Sequence, residues 1–194
     1  MTEIRIHGRG GQGNVVAAYL FAMAAFEEQR YGQAFPNFGA ERRGAPVMAF
    51  VRIADSPIQR RNQVRHPAFL IIQDQALLHV PGVTDGLKHG GKILVNSSFE
   101  SAELSKQLGK EVIALQATAL AKKFLGRPVP NTALLAAFFT LTEMLSQDSL
   151  AAVLQKRFKG DILDKNLQLI QEGAKQVPAG LWKEKEEKSN AASA

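Results

Sequence analysis

The chain of 194 residues contains no cysteine. Disulfides are therefore excluded, and so is an iron–sulfur cluster held through this chain's own thiolates. Histidine is scarce, and His7, His66, His79 and His89 are scattered without metal-ligand spacing, which argues against zinc. Aromatic residues make up 7% and do not interleave with the basic ones, so a stacking platform for nucleic acid is not expected. No apolar run approaches the ~20 residues that span a bilayer. No basic N-terminal segment leads into a long apolar run either, so no membrane association is expected and the expected compartment is the cytoplasm. What is present is typical of a soluble globular chain: 45% hydrophobic and 22% charged residues. A chain of this length can bury roughly 70% of its unfolded surface. One domain over residues 1–182 is expected, with residues 183–194, rich in charge, Ser and Ala, as a disordered tail. The net charge of +6 points to anionic partners.

The most informative stretch is Gly8-Arg9-Gly10-Gly11-Gln12-Gly13. It follows residues 4–7, which alternate like a strand, and opens into residues 14–20, which read as a helix. Strand, glycine turn and helix together let the backbone approach a ligand closely. The free N–H groups of the turn and the helix dipole favour an anion, usually a phosphate. Gly8, Gly10 and Gly13 also fit G-x-G-x-x-G, which suggests a nicotinamide cofactor. That site needs an acid about 20 residues on, at the end of a second strand, to hold the ribose. Glu27 and Glu28 stand at that distance but end a helical run, with no strand between. A phosphate-bearing or other polar ligand therefore fits better than a dinucleotide, and a turn that merely packs helix on sheet is the bland alternative. A P-loop is excluded because no Gly-Lys-Ser/Thr follows.

Further along, a Gly-, Pro- and Asn-rich loop is expected over residues 31–46, then strands over 47–53, 69–73, 92–95 and 111–115. Residues 76–80 read as a helical turn and 101–108 as a helix. Alternating strands and helices predict an α/β, Rossmann-like fold: a mostly parallel sheet flanked by helices, with a helical C-terminal part. There, Asn131 is expected to cap a helix over 132–145, apolar nearly all round and so deep in a core or interface. Helices over 150–158 and 165–177 follow. The strand ends should bring residues 8–13, 74–75, 96–98 and 116–118 to one edge, where such sheets bind ligands. These loops offer amides, hydroxyls and backbone N–H groups but little chemistry. Between residues 41 and 65, Arg42, Arg43, Arg52, Arg60, Arg61 and Arg65 face only Glu41 and Asp55. They suit phosphate or carboxylate, or form a solvated or subunit-facing basic surface. Asp74 reads as a cap or loop organiser sooner than as a base, and Ser97-Ser98 lacks a nearby activating histidine. His7 reads as a near-core histidine with its hydrogen bonds satisfied sooner than as a catalyst.

The glycine turn, paired with Phe38-Gly39-Ala40-Glu41-Arg42-Arg43-Gly44-Ala45-Pro46, resembles the gamma subunit of the 2-oxoacid:acceptor oxidoreductases, of the pyruvate:ferredoxin oxidoreductase kind. The likeness extends through residues 87–98 and through Pro130-Asn131-Thr132-Ala133-Leu134-Leu135, covering roughly residues 3–177. It implies a complex that oxidatively decarboxylates a 2-oxoacid to an acyl-coenzyme A. Thiamine diphosphate with Mg and the iron–sulfur clusters would sit in partner subunits of alpha, beta and delta types. The resemblance also implies that this chain is inert alone, helps close the active site and helps bind coenzyme A. It places Gly8, Gly10, Gly11, Gln12 and Gly13 near that ligand, with Arg42 and Arg43 reaching the site or its phosphates. The sequence agrees by what it lacks, since Gly160-Asp161 runs into Ile162-Leu163 and not into a thiamine diphosphate pattern. The competing reading is a free-standing nicotinamide-dependent reductase built on the same turn.

Overall fold

The computed structural model describes residues 1–37 and 44–183. Strand β1 (Thr2–Arg9) leads through the glycine turn into helix α1 (Asn14–Glu27), then β2 (Tyr31–Pro36), β3 (Pro46–Ala54) and β4 (Phe69–Ile72). A 3₁₀ turn at Gln75–His79 precedes β5 (Lys92–Asn96), α2 (Ser101–Leu108), β6 (Glu111–Leu115) and α3 (Ala117–Leu125). Helices α4 (Asn131–Thr142), α5 (Gln147–Arg157) and α6 (Gly160–Lys175) follow, the last elements among the described residues. The strands form one sheet in the order β2-β3-β1-β4-β5-β6. Pairings β1–β4, β4–β5 and β5–β6 are parallel, whereas β3 runs antiparallel to both β1 and β2. The α/β fold is thus as expected, with a mixed edge.

Period-2 alternation places Ile4 and Ile6 on one face of β1 and Arg5 and His7 on the other. On the first face Ile4, Ile6, Val51, Ile71 and Leu94 meet α1, α3, α4, α5 and α6. On the second, Leu70, Ile72, Ile93 and Val95 meet Leu77, Val83 and Leu104. Helix α4 lies in the middle of the larger core, as its all-round apolar sequence predicts, and 11 of its 12 residues are buried. Phe138 on that helix packs its ring against Phe21, Phe69 and Trp182. Beyond α6 the chain returns: Gly180 and Trp182 donate backbone N–H bonds to Thr140 and Leu141. Lys183 pairs with Glu143.

Three local expectations are corrected. Residues 31–36, expected as loop, form the edge strand β2. Its composition hid it: Gly32 is there because the backbone of Ala22 in α1 lies where a side chain would go. Helix α4 starts at Asn131 and stops at Thr142, where Glu143 takes a left-handed φ of 48°, so Asn131 is not its N-cap. Asn131 instead reaches sideways, donating from Nδ2 to the carbonyl of Gly13 at 3.3 Å. Helix α6 begins at Gly160, five residues before its apolar period becomes visible.

Candidate functional site at the glycine turn

The glycine turn stands at a switch point of the sheet. Strand β1 sends its connection, α1, to one face, while its parallel neighbour β4 sends the segment carrying Leu77 and Val83 to the other. Ligands of open α/β sheets bind in the crevice such a divergence leaves. Gly11 and Gly13 have φ of 96° and 76°, values that side-chain-bearing residues rarely adopt. A Cβ on Gly13 would also sit 2.5 Å from Asn131 Nδ2. The loop is braced from within: Arg9 N donates to Gln12 Oε1 at 2.8 Å, and Gln12 N to the carbonyl of Arg9 at 3.0 Å. Gly10 N donates to the Ala45 carbonyl, which ties the turn to the start of β3. Arg9 Nε pairs with Asp74 Oδ2 at 2.6 Å, and Arg9 Nη1 donates to the Gly44 carbonyl. Asn14, buried at the start of α1, donates to the carbonyls of Ile6 and Val47. No side chain caps the first turn of α1. Its N–H groups are left to a ligand or to water.

The four loops expected at one edge do converge. Asn96 Nδ2 donates to Thr118 Oγ1 and to the Gln73 carbonyl, and Ser97 Oγ donates to Gln75 Oε1. Asp74 accepts from Ala76 N, starting the 3₁₀ turn, in addition to its pair with Arg9. It caps and organises, as expected. Ser97 spends its proton on Gln75 and faces no histidine base. Burial, aided by the Arg5 charge, lowers the pKa of His7 to about 3, so its imidazole is neutral. Among the described residues there is no cluster of three His, Cys, Asp or Glu that could hold a metal. The edge offers backbone N–H groups, amides and hydroxyls, and among its described residues no serine or carboxylate is paired with a histidine.

Three clefts open around the turn. One of about 490 Å³, polar, runs from Gln12 across Gln73, Asn96, Ser97 and Thr118 to Lys122. A second, about 390 Å³, is bordered by Gly8 and His7 on the sheet face away from α1. The third, about 430 Å³, begins at Gly11 and Gly13 and lies between α1, α4 and α6. Its floor is Val16, Leu20, Val129 and Phe158, and Arg127, Arg157 and Lys165 stand around it. Lys165 is paired with Asp161, but among the described residues neither Arg127 nor Arg157 has an ion-pair partner.

Sequence reasoning overlooked Arg127 and Arg157, because only the fold brings them to the turn. A faint signal existed in the loop cation Arg127 just ahead of Pro128 and the start of α4. Of the arginines that were named, Arg52 is corrected from ligand candidate to scaffold. It is 0% exposed and donates to Glu3, Gln33, Asn62 and the Arg60 carbonyl. Arg42 and Arg43 lie outside the described residues, as does the stretch 184–194. The nicotinamide reading loses its carboxylate. Glu27 pairs with Lys156, Glu28 accepts from Ser146, and both end α1, about 20 Å from the turn at 1.5 Å per residue.

Comparison with known proteins bears on the family and the fold. The profile of the family described as pyruvate ferredoxin/flavodoxin oxidoreductase matches residues 3–176. The chain is 48% identical over 168 residues to pyruvate synthase subunit PorC of Methanothermobacter thermautotrophicus, covering 86% of this chain and 90% of that one. It is 43% identical over 175 residues to the pyruvate/ketoisovalerate oxidoreductases common subunit gamma of Thermococcus kodakarensis, covering 89% and 95%. The crystal structure of pyruvate oxidoreductase subunit PORC from Thermotoga maritima superposes with a TM-score of 0.80 at 33% identity, covering 90% of this chain and 95% of that one.

Proposed function

The chain belongs to the pyruvate ferredoxin/flavodoxin oxidoreductase family, as the gamma subunit of a pyruvate or other 2-oxoacid oxidoreductase, and from that premise we propose that its glycine turn holds the anionic end of coenzyme A. The observation that carries this reading is the third cleft. Uncapped N–H groups at the start of α1, two arginines that have no ion-pair partner among the described residues, one of them lying over the Phe158 ring at 5.7 Å, and an apolar floor meet within one cavity. Coenzyme A ends in a phosphorylated adenosine diphosphate, which is polyanionic and carries a flat base. Helix N–H groups and the dipole take a diphosphate, guanidinium forks take phosphate oxygens, and the floor takes the base.

Around that ligand the chain closes a shared active site in the cytoplasm, inert on its own. Alpha-, beta- and delta-type partners carry thiamine diphosphate with Mg and the iron–sulfur clusters. The lack of cysteine fits a chain that leaves clusters to its partners. Held by the partners, thiamine diphosphate would supply carbanion chemistry and the clusters a path for electrons. What this chain's residues contribute is binding, orientation and exclusion of water. Arg42 and Arg43 are assigned to the same ligand on the strength of the family motif. Relatives that serve as a subunit common to pyruvate and ketoisovalerate oxidoreductases support placing the choice of 2-oxoacid in the partners.

Calorimetry of the full chain with adenosine 3′,5′-bisphosphate tests the assignment. Arg127→Ala with Arg157→Ala should weaken binding tenfold or more, the equivalent of about 1.4 kcal/mol. Unchanged affinity in the double variant would remove the arginines from the site. Saturable binding of NADH, with none of the bisphosphate, would restore the nicotinamide reading.

A further inference from the structure

The edge of the sheet opposite the glycine turn is basic. There the parallel strands begin, and the length of β1, about 25 Å, separates the two edges. Two connections cross this edge, one from β3 to β4 and one from the 3₁₀ turn to β5. They present Arg60, Arg61, Arg65 and Lys88, all exposed, and among the described residues none of the four has an ion-pair partner. The carboxylates of this edge answer other cations. Glu3 pairs with Arg52, Asp55 with Arg30 and Glu111 with Lys92, while the charge of Asp85 is set against buried Arg5. Like charges gathered on one surface repel one another, so the fold itself gains nothing from them.

The chain nevertheless spends buried groups on holding them in place. Arg52, fully buried, donates to the carbonyls of Arg60 and Asn62 and to the Asn62 side chain, which fixes the backbone carrying Arg60 and Arg61. Gly86, at a φ of 71°, lies so close to the Arg65 carbonyl that a Cβ would collide with it. Lys88 N donates to the Pro67 carbonyl at 3.0 Å. The second connection is thereby pressed onto the first, and Lys88 joins the arginines in one array. Four residues of chain keep Arg61 and Arg65 within about 14 Å of each other. Cations held in fixed positions without countercharge place the missing carboxylates on another molecule.

The chemistry of the array narrows that molecule. Neither connection contains Phe, Tyr or Trp, so the bases of a nucleic acid would find no stacking surface. A mobile electron carrier docked here would meet a chain that has no cysteine and so no cluster of its own thiolates from which to draw. Arginine is enriched at protein interfaces and lysine depleted, and here arginines outnumber the lysine three to one. Their planar forks also pair with carboxylates through two bonds at once. Resting on the chain's place as one subunit among several, and not on what the glycine turn binds, we propose that this basic edge docks an acidic face of another subunit of the complex. Asp and Glu side chains of that subunit answer Arg60, Arg61, Arg65 and Lys88. Ligand and docked subunit then occupy opposite ends of the same strands.

The test uses the complex assembled from this chain and its partner subunits. Because the chain has no cysteine, Arg61→Cys carries a single thiol to which a benzophenone can be attached. Irradiation of the assembled complex should join it to one partner subunit, through a peptide rich in Asp and Glu. Arg60→Glu combined with Arg61→Glu and Arg65→Glu should weaken capture of that subunit tenfold or more in analytical ultracentrifugation. The circular dichroism of this triple variant should match the wild type, which separates a lost contact from a lost fold; if the variant does not fold, the cross-link alone decides. A benzophenone that reaches no partner subunit overturns the proposal, as does undiminished capture by the folded triple variant. A triple variant that assembles normally but reduces its electron-accepting protein with a raised KM also overturns it, and makes the edge a carrier site. Binding of adenosine 3′,5′-bisphosphate by the isolated triple variant should stay within twofold of the wild type, so the coenzyme reading stands or falls separately.

Discussion

His7 and Arg5 sit two residues apart on one face of β1, both buried. Burial also holds the pKa of Arg5 below the ordinary guanidinium value, against the opposing charge of Asp85. For His7 the consequence can be measured. An unfolded histidine takes up its proton near pH 6.5, whereas folded His7 does so only near 3. Between these values the unfolded chain binds more protons, so stability falls as pH drops from about 6.5 toward 3 and is unaffected by this group above 6.5. The slope from His7 alone is at most about 1.4 kcal/mol per pH unit. Urea midpoints across that range should flatten in His7→Asn, and an unaltered slope would assign the acid sensitivity to other groups. At this scale the sequence could name a residue type but not its neighbours. The near-core place of His7 and the loop-organising role of Asp74 were legible from their places at strand ends, but the expectation that His7 would be satisfied is corrected, since its Nε2 is buried without a hydrogen-bond partner. Arg52 was not, because the guanidinium that binds a phosphate in one setting cross-links a loop in another. Only the fold puts Glu3, Gln33 and Asn62 around it.

Helices α1 and α4 were legible because their character is written locally. One follows a glycine turn after an alternating strand, and the other is apolar on every side. Strand β2 was not, since its fit depends on Ala22, ten residues earlier, lying against Gly32. Asn131 shows the same limit at a helix end. An Asn after a Pro reads as a cap, yet here its amide serves the carbonyl of Gly13, 118 residues away. Through that bond the start of α4 is fastened to the start of α1, so the core helix sets the geometry of the turn. Phe138 is the side chain on which this arrangement leans, touching α1, β4 and the returning C-terminal segment. Truncating a buried Phe costs about 3–5 kcal/mol. Phe138→Ala should lower the urea midpoint accordingly, and a loss below 1 kcal/mol would mean the neighbouring rings close the gap.

For the molecule as a whole, the fold class and the edge where ligands gather could be read from strand–helix alternation. The order β2-β3-β1-β4-β5-β6 could not. It depends on β3 turning back to pair with β1, a long-range choice that no local pattern records. No described helix is long and apolar enough to cross a membrane. The last described residues have a practical consequence. Trp182 is the single tryptophan of the chain. It is buried, stacked 6.1 Å from Phe69, and its indole N–H donates to Glu111 at 2.6 Å. The protein thus carries one built-in optical reporter, placed where its first parallel pairing, its central helix and its C-terminal end meet. Its emission should start blue-shifted and move red in a single step that coincides with the loss of helix in circular dichroism. An earlier red shift would reveal that the C-terminal segment peels away before the core opens.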